Sequence, residues 1–255
     1  MQQRHLNRRS YFNELANTSR DFYLEYLGKF ITIRQGLQVL EIGCGEGGNL
    51  VPFAEKGCFV TGIDNSEIRI SQAISFFREK NLNGSFICEN FLMHKTQLKY
   101  DIILVHDVIE HIKPEYKITF VTLAQKLLSV GGVIFWGFPA WQMPFGGHQQ
   151  ICSNSLISHC PFIHLLPHCL YKIILRIGKE NERCINELLE IKKCGISIES
   201  FEKILSQSNC KIINRIFWFI NPHYKQKFGL PPIKLLYLPK YFRNFFCTSC
   251  FYITN

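Results

Sequence analysis

At 255 residues the chain suits one α/β domain with embellishments rather than two independent cores. Its 22 Phe and 10 Tyr supply a large core, and no run of about 18 uninterrupted apolar residues offers a membrane-spanning helix. The net charge of +9 admits an acidic substrate or peripheral contact with an anionic membrane. Nucleic acid is disfavoured, because the Lys and Arg residues are dispersed and make no basic, aromatic stripe.

Residues 1–35 read as one or two helices, a cap in which Tyr11, Phe12, Leu15, Phe22, Tyr23, Tyr26, Leu27 and Phe30 recur near helical spacing. Met1 to Arg9 lack the apolar centre of a signal peptide, and the scattered, odd set of 11 cysteines reads as reduced thiols, so a cytoplasmic location is expected. A first strand at 38–42 ends in four glycines, Gly43, Gly45, Gly47 and Gly48. The helix after it tolerates Pro52 in its first turn and stops at Gly57. A second strand, Cys58 to Ile63, delivers Asp64. Ser66 caps a helix that turns Ile70, Ala73, Ile74 and Phe77 inward. Ser85–Cys88 is a short third strand leading to Glu89-Asn90-Phe91, and Tyr100–Val105 is a fourth, apolar enough for burial on both faces. Pro114 opens a helix to about Ser129 with Ile118, Val121 and Leu128 inward. Gly131-Gly132 turns the chain into a fifth strand, Val133–Phe138. The strand–helix repeat over 36–138 implies a doubly wound, mostly parallel sheet.

Residues 139–195 break the repeat with a loop, an apolar segment (Phe162 to Ile177) and a polar helical stretch (about Glu180–Lys193). Their place after strand five suits an acceptor lid, since ligands of open α/β sheets sit outside the carboxyl ends of strands. Residues 196–255 add a helix with Phe201, Ile204 and Leu205 inward, a sixth strand (Lys211–Ile220) and a last one in Phe245–Ile253, which gives seven strands. Cys247 and Cys250 form a C-x-x-C in a strand-like run. Residues three apart there point to opposite faces, so core thiols are expected rather than redox or zinc chemistry.

Physically, Val39-Leu40-Glu41-Ile42 followed by glycines is a buried strand whose next turn exposes backbone N–H groups, a cradle for a polar ligand group. The glycines fit both G-x-G-x-x-G and G-x-G-x-G. Glu41 separates the two, because a carboxylate just before the loop suits a ligand carrying an ammonium group. Leu-Glu-Ile-Gly-Cys-Gly-Glu-Gly (40–47) resembles the first motif of the class I S-adenosylmethionine (SAM)-dependent methyltransferases, and Thr61-Gly62-Ile63-Asp64-Asn65-Ser66 resembles their second. The resemblance implies a seven-stranded Rossmann-like fold with SAM as cofactor. Glu41, Gly43, Gly45 and Gly47 would hold its methionine end, Asp64 its ribose hydroxyls and Asn90 its adenine, with Cys44 and Asn65 as further cofactor-binding residues. His106-Asp107-Val108-Ile109-Glu110-His111 resembles the segment after strand four in quinone-biosynthesis O-methyltransferases. His106 then either borders the cofactor or satisfies a backbone carbonyl.

Methyl transfer needs alignment, exclusion of water and removal of the acceptor's proton. His111 and His148, both on loops over strand ends, are the candidate bases for a small or lipid-like acceptor, with oxygen preferred over nitrogen or carbon. Asp107, Glu110 and His111 stand at i, i+3 and i+4, so one helical turn would align them. With His148 they resemble the ligand set of metal-dependent 2′-O-methyltransferases of small RNAs. A divalent metal held there is the alternative to a histidine base. An NAD(P)-binding oxidoreductase and a non-catalytic SAM-fold scaffold are the other two readings.

Overall fold

A computed structural model describes residues 7–255; the start of the expected N-terminal cap, residues 1–6, lies outside the described residues. Helix α1 (Arg8–Thr18) opens with the Asn7 side chain accepting from the Ser10 amide, and it continues through a π-helical turn (Ser19–Tyr23) into α2 (Leu24–Leu27). Then come β1 (Gln38–Ile42), α3 (Val51–Glu55), β2 (Phe59–Asp64), α4 (Glu67–Glu79), β3 (Ser85–Cys88), β4 (Tyr100–His106), α5 (Lys117–Lys126) and β5 (Leu128–Phe138). Helices α6 (Ser155–His159), α7 (His168–Ile177) and α8 (Glu182–Cys194) occupy the stretch that breaks the repeat. Helix α9 (Ile198–Gln207), β6 (Ile212–Ile220), α10 (His223–Phe228), β7 (Ile233–Lys234) and β8 (Ser249–Thr254) complete the chain.

The strands form one sheet in the order β3-β2-β1-β4-β5-β8-β6-β7. The first five are mutually parallel, and β8 runs antiparallel between β5 and β6. The doubly wound fold is as expected, with an eighth strand added to the seven. Pro231-Pro232 holds the chain extended, and Ile233 and Lys234 then pair with the edge of β6. Side chains alternate along each strand, so the unbroken apolar run of β4 feeds two cores. Ile103 and Val105 pack with Leu40, Trp136 and Phe201 on one face, while Ile102 and Leu104 pack with Val39, Phe135 and Tyr23 on the other. Alternation therefore places α5 and α9 on one side and the N-terminal helices with α3 and α4 on the other.

Several element details differ from the sequence reading. The inward stripe of α4 is Ile70, Ala73 and Phe77, and Ile74 is exposed at its margin. Ile118 is likewise exposed on α5, whose buried side is Phe120, Val121 and Ala124. Helix α5 ends at Lys126, so Leu128 belongs to β5, where it pairs with Tyr100 before the register slips to Ile102 and Val133. Cys247 precedes β8 and escapes strand alternation. Its sulfur lies 3.4 Å from that of Cys250, both fully buried, so the two thiols face each other rather than opposite sides. Residues 139–195 hold a separate apolar cluster around Tyr171, Leu175, Ile185 and Leu188.

Candidate active site

The glycine loop closes over the end of β1 because Gly43 and Cys44 both donate their amides to the Ile63 carbonyl, at 2.7 and 3.0 Å. Gly43 and Gly47 take left-handed φ values of 75° and 80°. A Cβ on Gly43 would sit 2.3 Å from the Val108 side chain, and one on Gly47 would sit 2.9 Å from the Phe86 ring. Asp64 reaches across from β2, accepting from the Gly45 amide (3.0 Å) and the Ser66 amide (2.9 Å). Glu41 is 1 % exposed. One of its oxygens accepts from the Asn49 amide at 2.7 Å, and the other, like the Asn49 carbonyl oxygen, has no partner among the described residues. Burial pushes the Glu41 carboxyl up to about 8, against the Asn49 hydrogen bond. The fold thus brings Glu41, Gly43, Cys44, Gly45, Gly47 and Asp64 together. Asn65 and Asn90 are exposed at the rim, and Asn90 spends its side-chain oxygen on the Leu92 amide.

A cavity of about 800 Å³ opens beside this loop, over the ends of β4 and β5 and the start of β8. Val108, Arg69 and Arg8 stand between the two. Val108 covers Gly43, Arg69 crosses Gly45, and Arg8, at the start of α1, bridges the buried Glu46 at 3.0 Å. His111 and His148 both face the cavity, their rings perpendicular with centroids 4.9 Å apart. Burial beneath α8, helped by the neighbouring imidazole, pulls His111 down to about 4, and its 41 % exposed side chain opens on the cavity. Burial also lowers His148. Both rings are therefore neutral at pH 7 and able to accept a proton. Beside them the fully enclosed Glu110 carboxylate has no hydrogen-bond partner on either oxygen, and burial followed by the Asp107 charge raises it well above the usual carboxylate range.

Asp107, Glu110 and His111 do not share a helical face. Asp107 has a left-handed φ of 54°, and the single 3₁₀ turn Ile109–His111 begins only after it. The Asp107 carboxylate lies 3.3 Å from Nδ1 of His106. Glu110, His111 and His148 do converge, with ligand atoms within 4.8 Å of one another. His106 satisfies no backbone carbonyl; its Nε2 meets the Tyr23 hydroxyl at 2.8 Å.

Residues 39–132 match a family described as a methyltransferase domain. Over that stretch, residues 39–132, the chain is thus similar to a methyltransferase domain. A ubiquinone biosynthesis O-methyltransferase of Coxiella burnetii is 30 % identical over 150 residues, covering 55 % of this chain and 63 % of that protein. A probable (S)-tetrahydroprotoberberine N-methyltransferase of Papaver bracteatum is 33 % identical over 107 residues, 41 % of this chain and 29 % of its own length. The chain thus spans less than two thirds of either relative. In fold, the methyltransferase domain and its flanks resemble magnesium protoporphyrin IX methyltransferase from Synechocystis PCC 6803 with bound SAH. That match has a TM-score of 0.57 and 16 % identity, covering 94 % of this chain and 82 % of the other.

Sequence reading missed several side chains around the domain. Tyr23, Asn49, Arg8 and Arg69, with Tyr224 on α10, reach the loop or the cavity only through tertiary packing. Asn49 alone left a trace, a polar residue directly after the last glycine, Gly48.

Proposed function

We propose that the chain transfers a methyl group from SAM to an oxygen of a small or lipid-like acceptor. The observation that carries this reading is the unpartnered Glu41 oxygen at the base of a backbone cradle, with Asp64 alongside. An α-ammonium group would satisfy that oxygen and restore the carboxylate's charge, and a buried acceptor atom left bare costs about 1–3 kcal/mol. Gly43, Cys44, Gly45 and Gly47 would line the methionine end, Asp64 and Asn65 the ribose, and Asn90 the adenine, with His106 and Tyr23 below. Bound SAM supplies the methyl group on a sulfonium centre. His148 or His111 would take the proton of the acceptor hydroxyl and hold its oxygen in line with the methyl group, so that the O–CH3 bond would form as the S–CH3 bond breaks and the neutral thioether leaves. Residues 139–195 act as the acceptor lid, since α8 turns Glu187, Glu190 and Ile191 toward the cavity.

Oxygen as the accepting atom is supported by the relatives named for ubiquinone biosynthesis, whereas the N-methyltransferase relative keeps nitrogen in view. A cytoplasmic setting with peripheral membrane contact fits a lipid-like acceptor. A second reading rests on the convergence of Glu110, His111 and His148, which would hold a divalent cation that acidifies the acceptor hydroxyl. Activity that survives chelation and Glu110→Gln would remove that reading and leave the imidazoles as base. The main test is calorimetric titration with SAM and NADH, followed by a screen with methyl-labelled SAM on metabolite and lipid fractions. Expected are SAM binding, no NADH binding, and label in an apolar fraction. Asp64→Ala should weaken SAM binding by about 1.5–3 kcal/mol. Binding of NADH in place of SAM would favour the oxidoreductase reading, and SAM binding with no label transferred to any fraction would favour a scaffold.

A further inference from the structure

Away from the cavity, the apolar cluster of residues 139–195 encloses a group of donors that methyl transfer does not use. Cys152 (1 % exposed), Glu180 (7 %) and Cys184 (9 %) bring their sulfur and carboxylate atoms within 4.8 Å of one another. Both Glu180 oxygens are fixed by backbone amides, those of Ser153 at 3.0 Å and Asn154 at 2.7 Å. Its other neighbour is the Cys184 thiol rather than a cation. Tyr171, on α7, is fully buried in the same cluster and its hydroxyl has no hydrogen-bond partner. Cys152 and Cys184 belong to that cluster too, so the bare hydroxyl shares one apolar pocket with the two thiols.

Two thiols and a carboxylate converging in a dry core, with an unpartnered hydroxyl in the same cluster, form a donor set that fits a cation. We propose that Cys152, Cys184 and Glu180, with the Tyr171 hydroxyl as fourth donor, form a structural zinc site. Two sulfurs with oxygen donors in a closed pocket favour Zn(II) over Mg(II) or Ca(II), which prefer oxygen alone. On binding, the two thiols release their protons to solvent and Tyr171 keeps its own. The ion is then held by two thiolates and one carboxylate at net charge −1, with no change of oxidation state. Metal binding and loss of the thiol protons are one event, since only the thiolates ligate.

The site joins all parts of the segment. Cys152 follows the His148 loop, Tyr171 lies on α7, Glu180 sits in the α7–α8 turn, and Cys184 is in the first turn of α8. So small a cluster gains most from such a cross-link. Through it the loop of His148 and the cavity wall of α8 would be held in one frame, whatever reaction the cavity serves.

The test is elemental analysis of the full chain purified from zinc-supplemented cells, then removal of metal and titration with Co(II). Expected are about one zinc per chain and a thiolate-to-cobalt charge-transfer band that saturates at equivalence. Cys152→Ser and Cys184→Ser should each abolish that band. Cys169→Ser, at an exposed thiol, should keep it, as should the paired change His111→Ala with His148→Ala. Lack of the charge-transfer band in the unaltered chain overturns the site, even if a serine variant fails to fold. A band unchanged in Cys184→Ser, or a Cys152–Cys184 disulfide in fresh protein, overturns it equally.

Discussion

At the scale of single residues, Glu41 ties the cradle to pH. A glutamate in an unfolded chain titrates near 4.3. Folded, burial raises this carboxyl to about 8. Between those values the folded chain keeps a proton that the unfolded chain has lost. The stability contributed by the neutral carboxyl is whole below the lower value and is lost as the pH rises through the upper one. Glu41→Gln should remove that slope. Urea unfolding at about pH 6 and pH 9 should show the wild type losing a few kcal/mol more than the variant, and equal losses would mean that Glu41 is already ionised when folded. The same carboxyl should give up its proton when an ammonium group arrives. SAM binding near pH 7 should therefore release a proton, read by calorimetry in buffers of different ionisation enthalpy, and the Gln variant should release none. At the cavity, His148→Ala and His111→Ala should each be assayed for turnover. Loss of the residue that serves as base should lower kcat by about 10²–10⁴ with little change in SAM affinity.

At the scale of elements, Lys117 is the pin between α5, the turn after β4 and the end of α8. Its ammonium is 4 % exposed and donates to the Ile109 and Cys194 carbonyls. Burial lowers it to about 8 even with Glu110 nearby. Lys117→Met leaves two carbonyls bare beside an unpartnered carboxyl and should cost about 2–4 kcal/mol in urea unfolding. A cost under about 0.5 kcal/mol, ordinary for a surface change, would show that Lys117 does not pin these elements together. Replacing residues 139–195 by a short Gly-Ser linker should spare SAM binding and abolish transfer; full turnover without them would end the lid assignment. Elements with a local cause were readable in advance. Strand β4 announces itself by an apolar run, α4 by its Ser66 cap, and the cradle by glycines whose spacing only a tight turn explains. What failed to show depends on partners far along the chain. Asp107 left the expected helical face because its backbone turns left-handed, and Tyr23 found His106 through a π-helical turn that no periodicity signals. Ile74 and Ile118 stayed outside because a stripe's width is set by the surface it meets. The facing of Cys247 and Cys250 follows from where β8 begins, a boundary that composition leaves blurred.

At the scale of the whole molecule, the last fifth of the chain departs from the dispersed charge of the rest. Beyond Glu202 the charged residues are Lys203, Lys211, Arg215, Lys225, Lys227, Lys234, Lys240 and Arg243, with no acid among them. Along this stretch Leu236 is 84 % exposed and Tyr237 97 %, with Phe228, Ile233, Tyr241 and Phe242 also open to solvent. Among the described residues no helix is long and apolar enough to cross a membrane, so any lipid contact would be made from the surface. The chain should sediment with vesicles containing anionic phosphatidylglycerol and not with neutral phosphatidylcholine. Leu236→Ser with Tyr237→Ser should weaken that association about tenfold or more, by loss of buried apolar area. Equal binding to both vesicle types would show that charge plays no part.

The placement of β8 bears on how the chain is made. The sheet's inner antiparallel strand is assembled from Ser249–Thr254, while its neighbour β5 ends at Phe138. During synthesis β5 leaves the ribosome long before its partner and waits with one edge unpaired, and an open apolar edge invites pairing with other chains. The half-made protein is the vulnerable form, and chaperone demand should fall sharply once residues 249–254 have emerged.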